Sequence, residues 1–164
     1  MPNLSIIAAA GMHNEIGFHH HLLCHLPADL TFFKTITWEH DIVVGHRTWD
    51  SLPTRPLPHR KNIVLSKNMA LSLPGATVVH SVEELFHVID NEKETFIIGG
   101  ESIYRLLFEK TTTIYLTRIM GKFLADAFFP EIDEKKWQLE SDTFRPQDEE
   151  NPYDLHFQKW IRRA

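Results

Sequence analysis

Residues 95–104 read TFIIGGESIY, and the change of character at their centre decides the fold class. Phe96, Ile97 and Ile98 form an apolar run with no polar residue alternating, as expected of a strand buried on both faces. Two glycines follow, and from Glu101 the pattern turns helical: in ESIYRLLFEK the residues Ile103, Leu106 and Leu107 predict one apolar stripe. A strand that runs straight into a helix points to a parallel sheet covered by helices. At such a junction the first helical N–H groups are free and the helix dipole is positive, so an anion is favoured there, phosphate being the natural guess. The paired glycines let a ligand approach the backbone closely. Taken alone they fit a tight strand-to-helix turn equally well, and no GxGxxG fingerprint is present.

Working outward, similar runs recur at LSIIAAA (4–10), DIVVG (41–45), NIVLS (62–66), ATVVH (76–80) and TIYLTRI (113–119). Between them, SVEELFHVID (81–90) pairs Ser81 with Glu84 in a capping box, and Val82, Leu85, Phe86 and Ile89 share one helical face. WQLESDTF (137–144) and DLHFQKWIRR (154–163) alternate instead, on either side of an acidic loop, and read as an antiparallel edge hairpin. The sum is a three-layer α/β fold over residues 1–164, expected to be one domain, with its ligands at the carboxyl ends of the strands. Those ends are Gly45-His46-Arg47-Thr48, Ser66-Lys67, His80-Ser81 and Gly99-Gly100-Glu101-Ser102. Arg47 and Lys67, if neighbours in space, suit a second, dianionic phosphate; individually each reads as a solvated surface charge.

Bulk properties narrow the classes. At 164 residues the chain suits a single core, and 43% apolar with 24% charged residues is near the globular average. A net charge of -5 without clustered Lys and Arg argues against a general nucleic-acid surface. One cysteine forms no intramolecular disulfide, and MPNLSIIAAAG lacks the basic region of a secretory signal, so the cytoplasm is the expected location. No run approaches the roughly 18 apolar residues of a membrane span. Without a long exposed apolar stripe, the expected state is a monomer.

HHHLLCHLPADLTFFK (19–34) poses a choice between a metal site and an acid site. His19, His20 and His21 are consecutive and cannot all reach one ion from regular structure; His21 and His25 have helical spacing, but Pro27 suits the first position of a helix and sets them before it. The cluster reads as a polar loop, and no metal site is expected. Cys24 reads as a small packing residue rather than a reactive thiol. Asp29 then falls in the first helical turn with Phe33 and Ile36 on its face. It is either an exposed acid that favours the dipole or a buried carboxylate that fixes a nitrogen-rich ring through paired hydrogen bonds. Burial would raise its pKa and the helix N-terminus would lower it.

LPADLTFFK, VVGHRTWDSL, RPLPHRKNIVLS, FIIGGESIY, IYLTRI and ADAFFP follow one another at spacings that resemble the dihydrofolate reductase family over nearly the whole chain. The resemblance implies a central, mostly parallel eight-stranded sheet with an antiparallel C-terminal edge strand, and reduction of 7,8-dihydrofolate by NADPH. By the same resemblance Asp29 is the active-site acid, binding the pterin 2-amino group and N3 and supporting protonation at N5. Ile7, Ala8, Leu30, Phe33, Leu57 and Ile98 match the substrate pocket, Thr117 the threonine bonded to the acid, and Arg60 the arginine that grips the glutamate α-carboxylate. Cofactor contacts match at Ala9, Ile16, Gly17, Gly45, His46, Arg47, Thr48, Leu65, Ser66, Lys67, Gly99, Gly100, Glu101, Ser102, Ile103, Tyr104 and Asp126. Residues 11–26 match the loop that closes over nicotinamide, and the expected partners are dihydrofolate and antifolate inhibitors.

The chain departs from the family pattern at three places. Leu23-Cys24 stands where Pro-Trp is usual, removing an indole that closes one side of the site and bearing on proton delivery. Gly45-His46-Arg47-Thr48 carries its arginine one position late, which bears on the 2′-phosphate, with Lys67 as a compensating cation. Ala125-Asp126-Ala127 replaces Gly-Asp-Thr, losing a permissive glycine and a hydroxyl. Two other readings compete: a reductase of the same fold acting on a ribosylated pyrimidine of riboflavin synthesis, and a metal-binding module at the histidines. Against the first stand Arg60 and LPADL; the second leaves five of the six blocks unexplained.

Overall fold

The computed structural model describes residues 2–17 and 26–164. An eight-stranded sheet has the order β5-β4-β3-β6-β1-β7-β10-β9. Its strands are β1 (Leu4–Ala10), β3 (Ile42–Gly45), β4 (Asn62–Leu65), β5 (Thr77–Val79), β6 (Thr95–Gly99), β7 (Thr113–Ile119), β9 (Trp137–Arg145) and β10 (Leu155–Arg162). From β5 to β7 all neighbours pair in parallel; β10 is antiparallel to both β7 and β9. Two short strands, β2 (Glu15–Gly17) and β8 (Ala127–Phe128), form a separate antiparallel pair.

The apolar runs are continuous because both faces are covered. Leu4, Ile6, Ala8, Val43, Ile63, Ile97, Ile114 and Leu116 pack on one face with α3 (Val82–Val88) and α4 (Glu101–Leu107). The intervening residues Ile7, Ile42, Phe96 and Ile98 point the other way, towards Phe32, Phe33 and Ile36 of α1 (Pro27–Thr37). Val44 and Val64 meet Trp49 of α2 (His46–Ser51) on that second face. Among the described residues no helix is long and apolar enough to cross a membrane.

Three local expectations change on contact with the packing. In α4 the inward stripe is Ile103, Tyr104 and Leu107, whereas Leu106 is 51% exposed. Tyr104 is accepted in the interior because its hydroxyl donates to Ile7 O at 3.0 Å, which leaves an apolar ring to pack. Leu107→Ala is therefore expected to cost about 3 kcal/mol in urea unfolding, against about 0.5 kcal/mol or less for Leu106→Ala. Ser81 does cap α3, accepting from Glu84 N at 3.1 Å, but Glu84 reaches back one residue further, to His80 N at 3.0 Å. The alternation in β9 buries only Trp137, while Leu139 and Phe144 are 40% and 54% exposed, since this edge strand pairs with β10 alone.

Candidate active site

The carboxyl ends of the central parallel strands open into one cavity of about 880 Å³. Ile7, Ala8 and Ala9 reach it from β1, Gly45 from β3, Leu65 from the end of β4 with Ser66 just beyond it, and Ile98 and Gly99 from β6 with Gly100 just beyond it. Helix α1 contributes Asp29, Leu30 and Phe33, and Leu57 and Arg60 come from the loop before β4. His46, Arg47 and Thr48 enter from α2, Glu101, Ser102, Ile103 and Tyr104 from α4, and Ile16, Gly17 and Asp126 from the β2–β8 side. Two residues expected at the site do not line the cavity. Thr117 is buried behind Asp29, and Lys67 is exposed next to Ser66. His19, His20, His21, Leu23, Cys24 and His25 lie outside the described residues, as does half of the segment matched to the closing loop.

Asp29 owes its place to Pro27, which starts α1 and sets the acid in the first turn on the face shared with Phe33. Thr117 Oγ1 donates to Asp29 Oδ1 at 2.6 Å. Part of the carboxyl opens to the cavity, but the surrounding protein strips enough hydration to raise its pKa, against which the Thr117 bond works. Burial therefore outweighs the Thr117 bond at this carboxyl. Burial also pushes up the nearby Tyr104 hydroxyl, and the charge of Asp29 adds to it.

Arg60 is held over the aromatic end of α1. Its Nε donates to Pro58 O at 2.8 Å and its Nη1 to Thr37 Oγ1 at 3.1 Å, while Thr37 Oγ1 donates to Phe33 O at 2.8 Å. The guanidinium carbon is 6.0 Å from the Phe33 ring centre and 5.5 Å from that of Trp38. Burial lowers its pKa, yet guanidinium basicity is high enough that it stays a cation. The cavity therefore has an acid and a fixed cation on walls joined by apolar surface.

At the other end two strand-to-helix junctions meet. Gly99 has φ +125°, a conformation that disfavours a side chain, and a Cβ on Gly100 would come within 2.9 Å of Thr48 Oγ1. A Cβ on Gly45 would meet Ile103 Cγ1 at 2.9 Å. The starts of α2 and α4 are thus brought close, with Arg47, Thr48 and Ser102 beside free backbone N–H groups. Such a cradle matches the charge and hydrogen-bonding needs of a diphosphate.

The family model described as dihydrofolate reductase matches residues 3–162. The chain belongs to the dihydrofolate reductase family. A curated relative named dihydrofolate reductase from Bacillus subtilis is 40% identical over 154 residues, covering 94% of this chain and 91% of the relative. A dihydrofolate reductase from Staphylococcus aureus is 34% identical over 160 residues, 98% of each chain. Among solved structures, the dihydrofolate reductase from Enterococcus faecalis complexed with NADP(H) and RAB-propyl superposes with a TM-score of 0.92 at 35% identity, covering 99% of this chain and 97% of that one.

This member of the dihydrofolate reductase family also brings Lys34, Ser51, Leu52, Pro53 and Ala127 to the cavity, none of them expected from sequence. Lys34 had a usable signal, standing one helical turn beyond Leu30. Glu15 had none. It is 2% exposed and accepts from His13 N and, at 2.8 Å, from Phe123 N, while Arg118 ties the same turn through Gly11 O and Asn14 Oδ1 at 2.7 Å each. Burial opposes ionisation of Glu15, but the N–H groups of Glu15, Phe123 and His13 outweigh it and hold the pKa below its usual value. This knot fixes the base of the strand that supplies Ile16 and Gly17.

Proposed function

We propose that this chain, acting as one cytoplasmic domain and as a monomer, reduces 7,8-dihydrofolate to 5,6,7,8-tetrahydrofolate with NADPH. The observation that carries the reading is the Asp29 carboxyl, bonded to Thr117 and partly desolvated on an otherwise apolar wall. Asp29 is the catalytic residue. Its oxygens accept from the pterin 2-amino group and N3, and its raised pKa suits it to supporting a proton destined for N5. Thr117 donates to Oδ1 and so orients the acid. Ile7, Ala8, Leu30, Phe33, Leu57 and Ile98 exclude water around the pterin and its linker, and Arg60 grips the tail carboxylate. Antifolate inhibitors occupy the same wall.

NADPH, when bound, supplies the hydride from nicotinamide C4 to pterin C6. The glycine cradle supports its fit: Thr48, Gly100, Glu101, Ser102 and Ile103, at the starts of α2 and α4, would hold its diphosphate. Arg47 and Ser66, beside His46 and with the exposed Lys67 next in the chain, would hold its 2′-phosphate, and Ala9, Ile16, Gly17, Gly99, Tyr104 and Asp126 would hold its nicotinamide end. Gly100→Ala sets a methyl against Thr48 Oγ1 and is expected to weaken NADPH binding at least tenfold in a fluorescence titration. An unchanged affinity would move the diphosphate elsewhere.

The reading is tested by mixing the purified protein with NADPH and dihydrofolate and following NADPH absorbance. Protein-dependent oxidation, blocked by one equivalent of methotrexate, is the expected result. Absence of oxidation rejects the reading, and oxidation without stoichiometric methotrexate binding favours a ribosylated pyrimidine as substrate instead.

A further inference from the structure

Helix α1 begins without a cap of its own. Leu26 stands where a capping side chain would accept the first free amide, and it makes no such bond. Pro27 has no N–H to satisfy, and Asp29 N and Leu30 N both donate to Leu26 O at 3.0 Å. Ala28 N–H is the remaining donor of this turn. It is taken by Asn151 Oδ1 at 2.9 Å, from a residue 123 positions further along the chain.

Asn151 is 2% exposed and its amide has only one workable orientation. Its backbone N donates to Asp148 Oδ1 at 2.7 Å and its Nδ2 to the same oxygen at 3.1 Å. A carboxylate accepts but does not donate, so Nδ2 must face Asp148 and Oδ1 must face the helix. Asp148 is fixed in turn by Arg145 Nη2 at 2.8 Å, and the same partners, Arg145 first and then Asn151, hold its carboxyl well below the usual carboxylate range. The β9–β10 turn is tied to β7, which carries Thr117: Gln147 N donates to Asp154 Oδ1 at 2.8 Å and Met120 N to Asp154 O at 3.0 Å. Both partners in the Asp29–Thr117 bond are therefore referred to one turn. Around it Leu26, Ile119 and Leu155 form a small core with Ala28 and Phe157, and Phe157 stacks on Phe32 at 4.6 Å.

We propose that Asn151 is a positioning residue for the reaction: by capping α1 at Ala28 from the β9–β10 turn, it holds the Asp29 carboxyl against Thr117 on the desolvated wall of the cleft. The inference rests on the reading of Asp29 as the proton-linked group. The groups facing Asp29 are the Thr117 hydroxyl from β7 and the buried Tyr104 hydroxyl from α4. The other ionisable side chains lining the cavity are Lys34, His46, Arg47, Arg60, Glu101 and Asp126. None of these is altered in the variants below.

The test is the pH dependence of single-turnover hydride transfer in the full chain, with NADPH affinity measured by fluorescence. Asn151→Ala is expected to shift the kinetic ionisation downward, and a shift of about one unit lowers the rate at neutral pH about tenfold, because the protonated fraction falls by that factor. NADPH affinity stays within about twofold of wild type on the affinity scale. An Asn151→Ala protein that is less stable but keeps the wild-type profile overturns the proposal. Should that variant not fold, Asp148→Ala frees the Asn151 amide and asks the same question, with an unchanged profile again decisive against it. If wild type and Asp29→Asn share one profile, the reading of Asp29 itself fails and this inference falls with it.

Discussion

Asp29→Asn is expected to lower the rate of hydride transfer at pH 7 by about a hundredfold or more, the usual scale of a lost proton-linked group. An amide still accepts from Thr117 and still packs, so NADPH binding and the fold should persist. Stability should move the opposite way. The folded pKa of Asp29 is raised by burial, so below the unfolded value of about 3.9 both states hold the proton and the acid costs nothing. As pH rises from there through the folded pKa, the unfolded state releases its proton first and stability is lost. Asparagine carries no such penalty. Thermal melts should show Asp29→Asn above wild type at pH 7, with the gap closing towards pH 4. A rate that does not change, or a variant that melts lower at pH 7 by the same margin as at pH 4, would remove Asp29 from this role.

Arg60→Leu should act on substrate and not on chemistry. The tail carboxylate loses a planar, paired donor, and charge-assisted hydrogen bonds contribute about 1.5–3 kcal/mol each. KM for dihydrofolate is therefore expected to rise about a hundredfold while kcat changes less than about threefold. Substrate truncated to lack the glutamate tail should be turned over equally by both proteins. A variant that lowers kcat and leaves KM unchanged would contradict the assignment.

The strands were legible because residues such as Val43, Val44, Phe96 and Ile97 are buried on both faces of the sheet, so a period-free apolar run has one good explanation. Asp29 was legible as a first-turn acid, but the winner between burial and helix dipole depends on what surrounds it, which is tertiary information. Leu106 was misassigned for a related reason. Hydropathy ranks it above Tyr104, while the fold supplies the Ile7 carbonyl that makes the tyrosine the better interior residue. Glu15 and Asn151 were invisible because their decisive partners are backbone atoms: Phe123 N lies 108 positions from Glu15, and Ala28 N lies 123 positions from Asn151. Side-chain motifs announce themselves in sequence; bonds to the main chain of a distant segment do not.

The claim on which the rest depends is that a pterin lies against Asp29. A crystal structure of the chain with NADPH and a folate tests it most directly. The expected result is two hydrogen bonds of about 2.7–3.0 Å from the Asp29 oxygens to the pterin 2-amino group and N3, with the tail carboxylate on Arg60. A folate bound elsewhere in the cavity, or an Asp29 carboxyl facing only solvent in that complex, would contradict it.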